Sequence, residues 1–131
     1  MISLNQFKKA GASGGVGSVM SKLFEARDFA HSAHLRTDSY AQHKALGSFY
    51  EDVIDLADQL YETYAGQYGQ FKCGHAGGIK DEDPVKYMES LGEMLSGAHE
   101  LFDKKDTHLH NILDEIVGLV YQTTYKLKYL K

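Results

Sequence analysis

Apolar residues recur at alternating steps of three and four along four stretches of this chain, the spacing that lines one side of an α-helix. Between about residues 18 and 35, Val19, Leu23, Ala26, Ala30 and Ala33 form such a stripe, with Ser18 placed to cap it. From 39 to 68, Leu46, Phe49, Val53, Leu56, Leu60 and Tyr64 give the strongest amphipathic signal of the chain. Ser39 offers that helix a cap, and Gly66 and Gly69 end it. A third helix starts at Pro84 behind Asp83 and runs to about Phe102. It buries Tyr87 or Met88, then Leu91, Leu95, Ala98 and Phe102. The fourth fills the rest with Leu109, Ile112, Ile116, Val120 and Leu127 as its stripe. No stretch alternates with period two over a useful length. The connections are a short turn at 37–39, a long crossover at 70–83 and a short polar turn at 103–106. The pattern predicts an all-α fold, a four-helix bundle.

Ahead of the first stripe, residues 10–18 read AGASGGVGS. This composition predicts a flexible N-terminal tail over 1–17, with the bundle domain over 18–131. The glycines do not make a phosphate loop, because no Lys-Ser/Thr follows them and no strand precedes them. A chain of 131 residues suits one domain. No apolar run approaches the roughly 20 residues of a membrane span. The N-terminus lacks the charged and apolar regions of a signal peptide. The single cysteine, Cys73, excludes an intrachain disulfide. Together these predict a cytoplasmic protein. The net charge of −4 and pI near 5.9 argue against nucleic-acid binding, which needs a basic face for phosphates. The local exceptions, Lys8-Lys9 and Lys126, Lys128 and Lys131, have the character of solvated chain ends.

Candidate chemistry centres on histidines and carboxylates. His43, Asp58 and Glu62 share the second helix. At about 1.5 Å rise per residue, His43 and Asp58 stand roughly 22 Å apart, so one copy of the helix cannot bring them to one metal ion. Two copies packed antiparallel across a two-fold bring His43 of one toward Asp58 and Glu62 of the other. The quartet therefore implies an intersubunit site or none. With His43 taken as zero, Asp58 lies at about 60°, Glu51 at about 80° and Glu62 at about 100° around the helix, away from the core stripe. His43, Tyr50, Ile54 and Tyr61 form a separate strip that calls for cover, most simply from another subunit. The bland reading of Glu51, Asp55, Asp58 and Glu62 is an acidic solvated face.

His31 and His34 lie one turn apart at the end of the first helix. Imidazole is a common ligand of iron, zinc and copper. A histidine also suits the negative end of a helix dipole, so helix-end polar residues are the competing reading. His99, His108 and His110 have no carboxylate partner at a recognisable spacing. Cys73 and His75 offer at most half of a zinc site. The Glu-x-x-His motif of carboxylate-bridged di-iron bundles is absent at every glutamate. No convincing nucleophile arrangement is present.

At these residues the chain resembles the Dps family, the mini-ferritins. In that family a histidine ends the first helix, a second histidine opens the next, and Asp-x-x-x-Glu follows on it. Here the run is Tyr40-Ala-Gln-His43, then Tyr50, then Asp58-x-x-x-Glu62. The last helix, from Asp106-Thr107 to Tyr125-Lys-Leu-Lys-Tyr-Leu130, is also similar. The resemblance covers roughly 20–66 and 98–130. It implies a ferritin-like, Dps-type bundle and a homo-oligomer, either a two-fold dimer or a twelve-subunit shell. It also implies a ferroxidase site that oxidises Fe(II) to Fe(III) between subunits. The ligands would be His34 or His31 and His43 from one chain, and Asp58 and Glu62 from the other. His31 keeps the family's full spacing to His43. His34 needs a shorter turn, which the brevity of Thr37-Asp38-Ser39 favours. The family's tryptophan after the first histidine is missing, and the first and third helices are short. The His-Leu-x-Thr-x-Ser-Tyr-Ala-x-His run is similar to that of short Dps-like proteins of tailed bacteriophages, which implies a location in host cytoplasm or virion. Two other readings stand beside the ferroxidase. One is a non-enzymatic phage structural or partner-binding protein that keeps the fold and needs no cofactor. The other is an intersubunit zinc site without redox chemistry.

Overall fold

The computed structural model describes residues 15–75, 77–79 and 81–131. Four α-helices account for most of them: α1 (Val16–Arg36), α2 (Tyr40–Tyr68), α3 (Pro84–Gly97) and α4 (Thr107–Tyr129). A 3₁₀ turn, Ala98–Leu101, continues α3. There is no strand among the described residues. Most of each expected stripe is buried: Val19, Leu23, Phe49, Val53, Leu91, Leu95, Ile116 and Val120 all lose almost all contact with solvent, while Leu56 and Tyr64 are only partly buried at the edge of the core. Tyr87 and Met88 are both buried, where the spacing left a choice between them.

Local chemistry sets the boundaries. The Ser39 hydroxyl accepts the Gln42 N–H at 3.2 Å and caps α2. The Thr37 hydroxyl accepts the Ser39 N–H at 3.1 Å and donates to the Gln42 side chain at 2.8 Å. A cap of this kind contributes about 1 kcal/mol. The Asp83 carboxylate accepts the Lys86 N–H at 3.1 Å, with Pro84 in the first turn of α3. Gly69, at φ +101°, ends α2, a conformation that glycine adopts without steric cost. Gly66 is passed over as ordinary helix.

Two boundaries differ from the sequence expectation. α1 begins at Val16, with Gly15 and not Ser18 before it and no side-chain cap. Residues 15–17 therefore belong to the fold and not to a tail, because burying Val16 and Val19 requires the helix to start there. The remainder of the expected tail, 1–14, lies outside the described residues. The third α-helix also stops at Gly97, short of Phe102, and tightens into the 3₁₀ turn that places Phe102 in the core.

α2 packs on α1 and on α4, and α4 packs on α3, while α1 and α3 touch more lightly. The long connection between α2 and α3 lies against α1. His75 bonds Asp28 at 2.8 Å, and Arg36 pairs with Asp81 at 2.9 Å. The His75 bond, helped by Arg27, holds the Asp28 carboxyl below the usual carboxylate range. The connection thus climbs from mid-α1 to its C-terminal end before α3 begins. α1 and α2 run antiparallel, as do α3 and α4, and the crossover makes α3 run the same way as α2. Phe29 of α1 stacks on Tyr87 of α3, with ring centroids 3.8 Å apart, and the Tyr87 hydroxyl donates to Glu25 at 2.9 Å. Burial keeps that phenol protonated far above the usual tyrosine range.

Candidate functional site

The turn between α1 and α2 brings His34 and His43 face to face. Their rings lie 17° from parallel with centroids 3.7 Å apart. His34 Nδ1 lies 2.5 Å from the His43 carbonyl oxygen, and His43 Nδ1 lies 2.9 Å from the His34 carbonyl oxygen. A carbonyl can only accept, so each Nδ1 carries its hydrogen, and in the neutral rings each Nε2 keeps its lone pair. A backbone carbonyl on one ring nitrogen is the support that metal-binding histidines commonly have on the nitrogen that does not bind. The seat is tight. A Cβ on Gly47 would come within 3.0 Å of the His34 ring, so glycine at that position makes room for it.

His31 is exposed and stacks on Tyr50, with centroids 4.3 Å apart, while His34 meets the same tyrosine edge-on at 5.4 Å. The three histidines and Tyr50 thus form one aromatic patch, half-buried except for His31. Of the predicted strip, Tyr50 is covered by His31, and Tyr61 by Phe71 of the crossover. The Tyr61 hydroxyl donates to the Phe71 carbonyl at 2.8 Å and accepts its N–H at 3.3 Å. Part of the cover that the sequence assigned to another subunit therefore comes from the chain itself.

Asp58 and Glu62 lie one turn apart on α2, both exposed, and among the described residues neither takes an ion pair or a hydrogen bond. The α2 helix is continuous from Tyr40 to Tyr68, so the carboxylates stay roughly 22 Å down its axis from His43. Glu51 and Asp55 extend the acidic ridge, also exposed. Among the described residues no group of three or more histidine, cysteine or carboxylate side chains within the chain can hold a metal ion. His75 turns to Asp28, and Cys73 is exposed.

A second histidine group was not legible in the sequence. His99 does have a carboxylate partner, Asp114, at 2.8 Å, and His110 meets His99. The pair is separated by 15 positions and forms only because the turn after α3 folds α4 back. Beside it, the buried Asp106 side chain accepts hydrogen bonds from the Tyr68 hydroxyl and from Gln67 at 2.9 Å. These bonds, Tyr68's first, hold the Asp106 carboxyl below its usual range, and Asp106 pushes the Tyr68 phenol up to about 12. His108 bonds Gln67 at 2.7 Å. This end of the molecule is a polar clasp between α2 and α4, opposite the His34–His43 end of α2.

The chain belongs to a family of unknown function, DUF5856, whose model matches residues 34–127. The matched stretch opens at His34 and takes in His43, Asp58 and Glu62. Over 128 residues the chain is 26% identical to the "Uncharacterized 14.6 kDa protein in mobD-ri intergenic region" of Enterobacteria phage T4, covering 96% of this chain and 98% of that one. No solved structure matches. No helix among the described residues is long and apolar enough to cross a membrane.

Proposed function

We propose that the protein is a Dps-like, phage-borne ferritin relative that binds Fe(II) as substrate between two copies of the chain and promotes its oxidation to Fe(III), with dissolved dioxygen taking the electrons. The observation that carries this reading is the His34–His43 pair, both rings held by backbone carbonyls with Nε2 left for a ligand. The donor set fits the ion: two imidazoles and two carboxylates suit iron, and carboxylates favour the oxidised product. One chain supplies each half of the set at opposite ends of α2, so a two-fold antiparallel pairing of α2 completes two equal sites. The single long crossover between antiparallel helix pairs supports this reading, because ferritin-like bundles have one such connection. In this reading His34 and His43 bind and orient the ion, and Asp58 and Glu62 of the facing copy neutralise its charge. Glu51 and Asp55 draw cations along the ridge by their field. His31, stacked on Tyr50 beside the pair, is the alternative first ligand.

The test is aerobic Fe(II) oxidation followed by absorbance. Oxidation faster than the protein-free rate, lost when Asp58 and Glu62 are both alanine, supports the proposal. An unaccelerated rate with zinc bound at the same residues would favour a zinc site without redox chemistry.

One observation favours the non-enzymatic reading. α4 exposes Tyr121, Tyr125 and Tyr129, followed by Leu130, at 46 to 62% of their surface. Aromatic residues on a helix surface are the usual currency of protein contacts. A partner-binding protein that keeps the fold would use this face and need no metal.

A further inference from the structure

His99 and His110 meet where the turn after α3 packs on the start of α4. Their planes are 7° apart and their Nδ1 atoms 2.7 Å apart, although the ring centroids are 5.0 Å apart. The rings therefore face each other edge to edge and nearly in line, nitrogen to nitrogen. The other nitrogen of each ring is already committed. His110 Nε2 lies 3.0 Å from the Asp103 carbonyl oxygen, which can only accept, so this nitrogen carries a hydrogen. His99 Nε2 lies 2.8 Å from the Asp114 carboxylate, also an acceptor, so it carries a hydrogen as well. A neutral imidazole has one N–H. With both rings neutral, the two Nδ1 atoms would oppose lone pair to lone pair at hydrogen-bond distance. A third hydrogen removes the conflict, because one ring becomes imidazolium and donates from Nδ1 to the other. The spacing suits this cation. A zinc ion bonded to both nitrogens at about 2.0–2.1 Å in tetrahedral geometry would hold them more than 3 Å apart.

We propose that His99 and His110 share one extra proton, and that this proton is an acid-dependent clasp between the turn at 98–106 and α4. The shared charge is faced by Asp114 on α4, by the Asp103 carbonyl and by the Asp106 carboxylate, while the Asp103 carboxylate accepts the Lys105 N–H; Glu100, Lys104 and Lys105 lie in the same turn and His108 on the first turn of α4. The Phe102 ring stands edge-on to His110 at 5.8 Å and screens one side. Asp106 is itself held by Tyr68 and Gln67 of α2, so the clasp lies at the junction of α2, α3 and α4. Histidine exchanges protons between about pH 5 and 8. The closed form is the protonated one, so acid closes the clasp and loss of the third proton opens it.

Nitrogen-15 NMR of the whole protein labelled at histidine tests this. At pH 6 we expect three N–H groups across His99 and His110 and a measurable coupling between their two Nδ1 atoms. At pH 8.5 the third N–H and the coupling should vanish, and amide protection over 99–106, taken relative to the intrinsic exchange rate at each pH, should fall by about tenfold. His110→Gln can place an amide donor against His99 at any pH, so protection in that variant should lose its pH dependence. His99→Ala should give the low protection throughout. Only two N–H groups at pH 6, a coupling that persists at pH 8.5, or unchanged pH dependence in His110→Gln would overturn the proposal. A coupling that appears only with added zinc, and is removed by chelator, would also overturn it and identify a metal in place of the proton.

Discussion

His34 and His43 lie on either side of a three-residue turn, and each donates its Nδ1–H to the other's backbone carbonyl. The two bonds fix both tautomers and lock the end of α1 to the start of α2. The proposed metal chemistry therefore rests on backbone geometry as well as on residue type.

The seat itself can be tested at Gly47. An alanine Cβ there would come within 3.0 Å of the His34 ring, tighter than an ordinary contact. Alanine favours a helix over glycine by up to about 1 kcal/mol, so Gly47→Ala should not lower the melting temperature by much. It should displace the His34 ring and weaken Fe(II) binding about tenfold or more, the usual effect of disturbing a ligand's support. Calorimetric titration of Fe(II) under anaerobic conditions, beside a thermal melt, checks both halves. Undiminished binding would show that the His34 seat is no part of the site.

Asp58→Ala and Glu62→Ala should abolish tight Fe(II) binding while leaving stability nearly unchanged, as surface substitutions do. Both side chains are exposed and lie outside the core. Iron bound per chain, measured on the double variant, is the readout, and an unchanged value refutes the assignment. His31→Ala and His34→Ala, compared separately, decide which histidine is the first ligand.

The helices were legible because their cores repeat. Leu46, Phe49, Val53 and Leu60 keep a three-four spacing that only a helix turns to one side, and Ser39 and Asp83 cap by short-range chemistry visible in sequence. The start of α1 was not, because Gly15 and Gly17 resemble a linker until Val16 is seen to be buried. Contacts created by folding were hidden too. Tyr61 with Phe71, and His99 with Asp114, depend on how a crossover and a turn fold back, which no local spacing encodes. The helix rise kept His43 and Asp58 apart in the sequence, and the unbroken α2 keeps them apart in the structure.

The Asp106 clasp predicts an acid response. Hydrogen bonds from Tyr68 and Gln67 depress the Asp106 carboxyl, so the folded state loses its proton more readily than the unfolded chain. Its contribution is present above the unfolded value, near pH 3.9, and is lost as the pH falls through the lower folded value. Thermal melts of Asp106→Ala between pH 7 and pH 2.5 should start from a lower melting temperature and fall less steeply below pH 4 than those of the parent. Parallel curves would remove Asp106 from the account.

DNA should not bind. The chain is acidic, and each phosphate contact needs a basic partner to release counterions. Lys8 and Lys9 lie outside the described residues, and two lysines contribute little affinity. A gel-shift assay at about 150 mM salt should show no retention at sub-micromolar protein. Retention there would revive DNA protection as the role.

The proposal of an intersubunit metal centre is tested most directly by native mass spectrometry with metal analysis of the protein purified and reconstituted with Fe(II). The account predicts an assembly of an even number of chains, a dimer or a multiple of it, carrying iron in proportion to the chains. That iron should be lost when Asp58 and Glu62 are both replaced. A monomer at micromolar concentration, or an oligomer that takes up no iron, would contradict it.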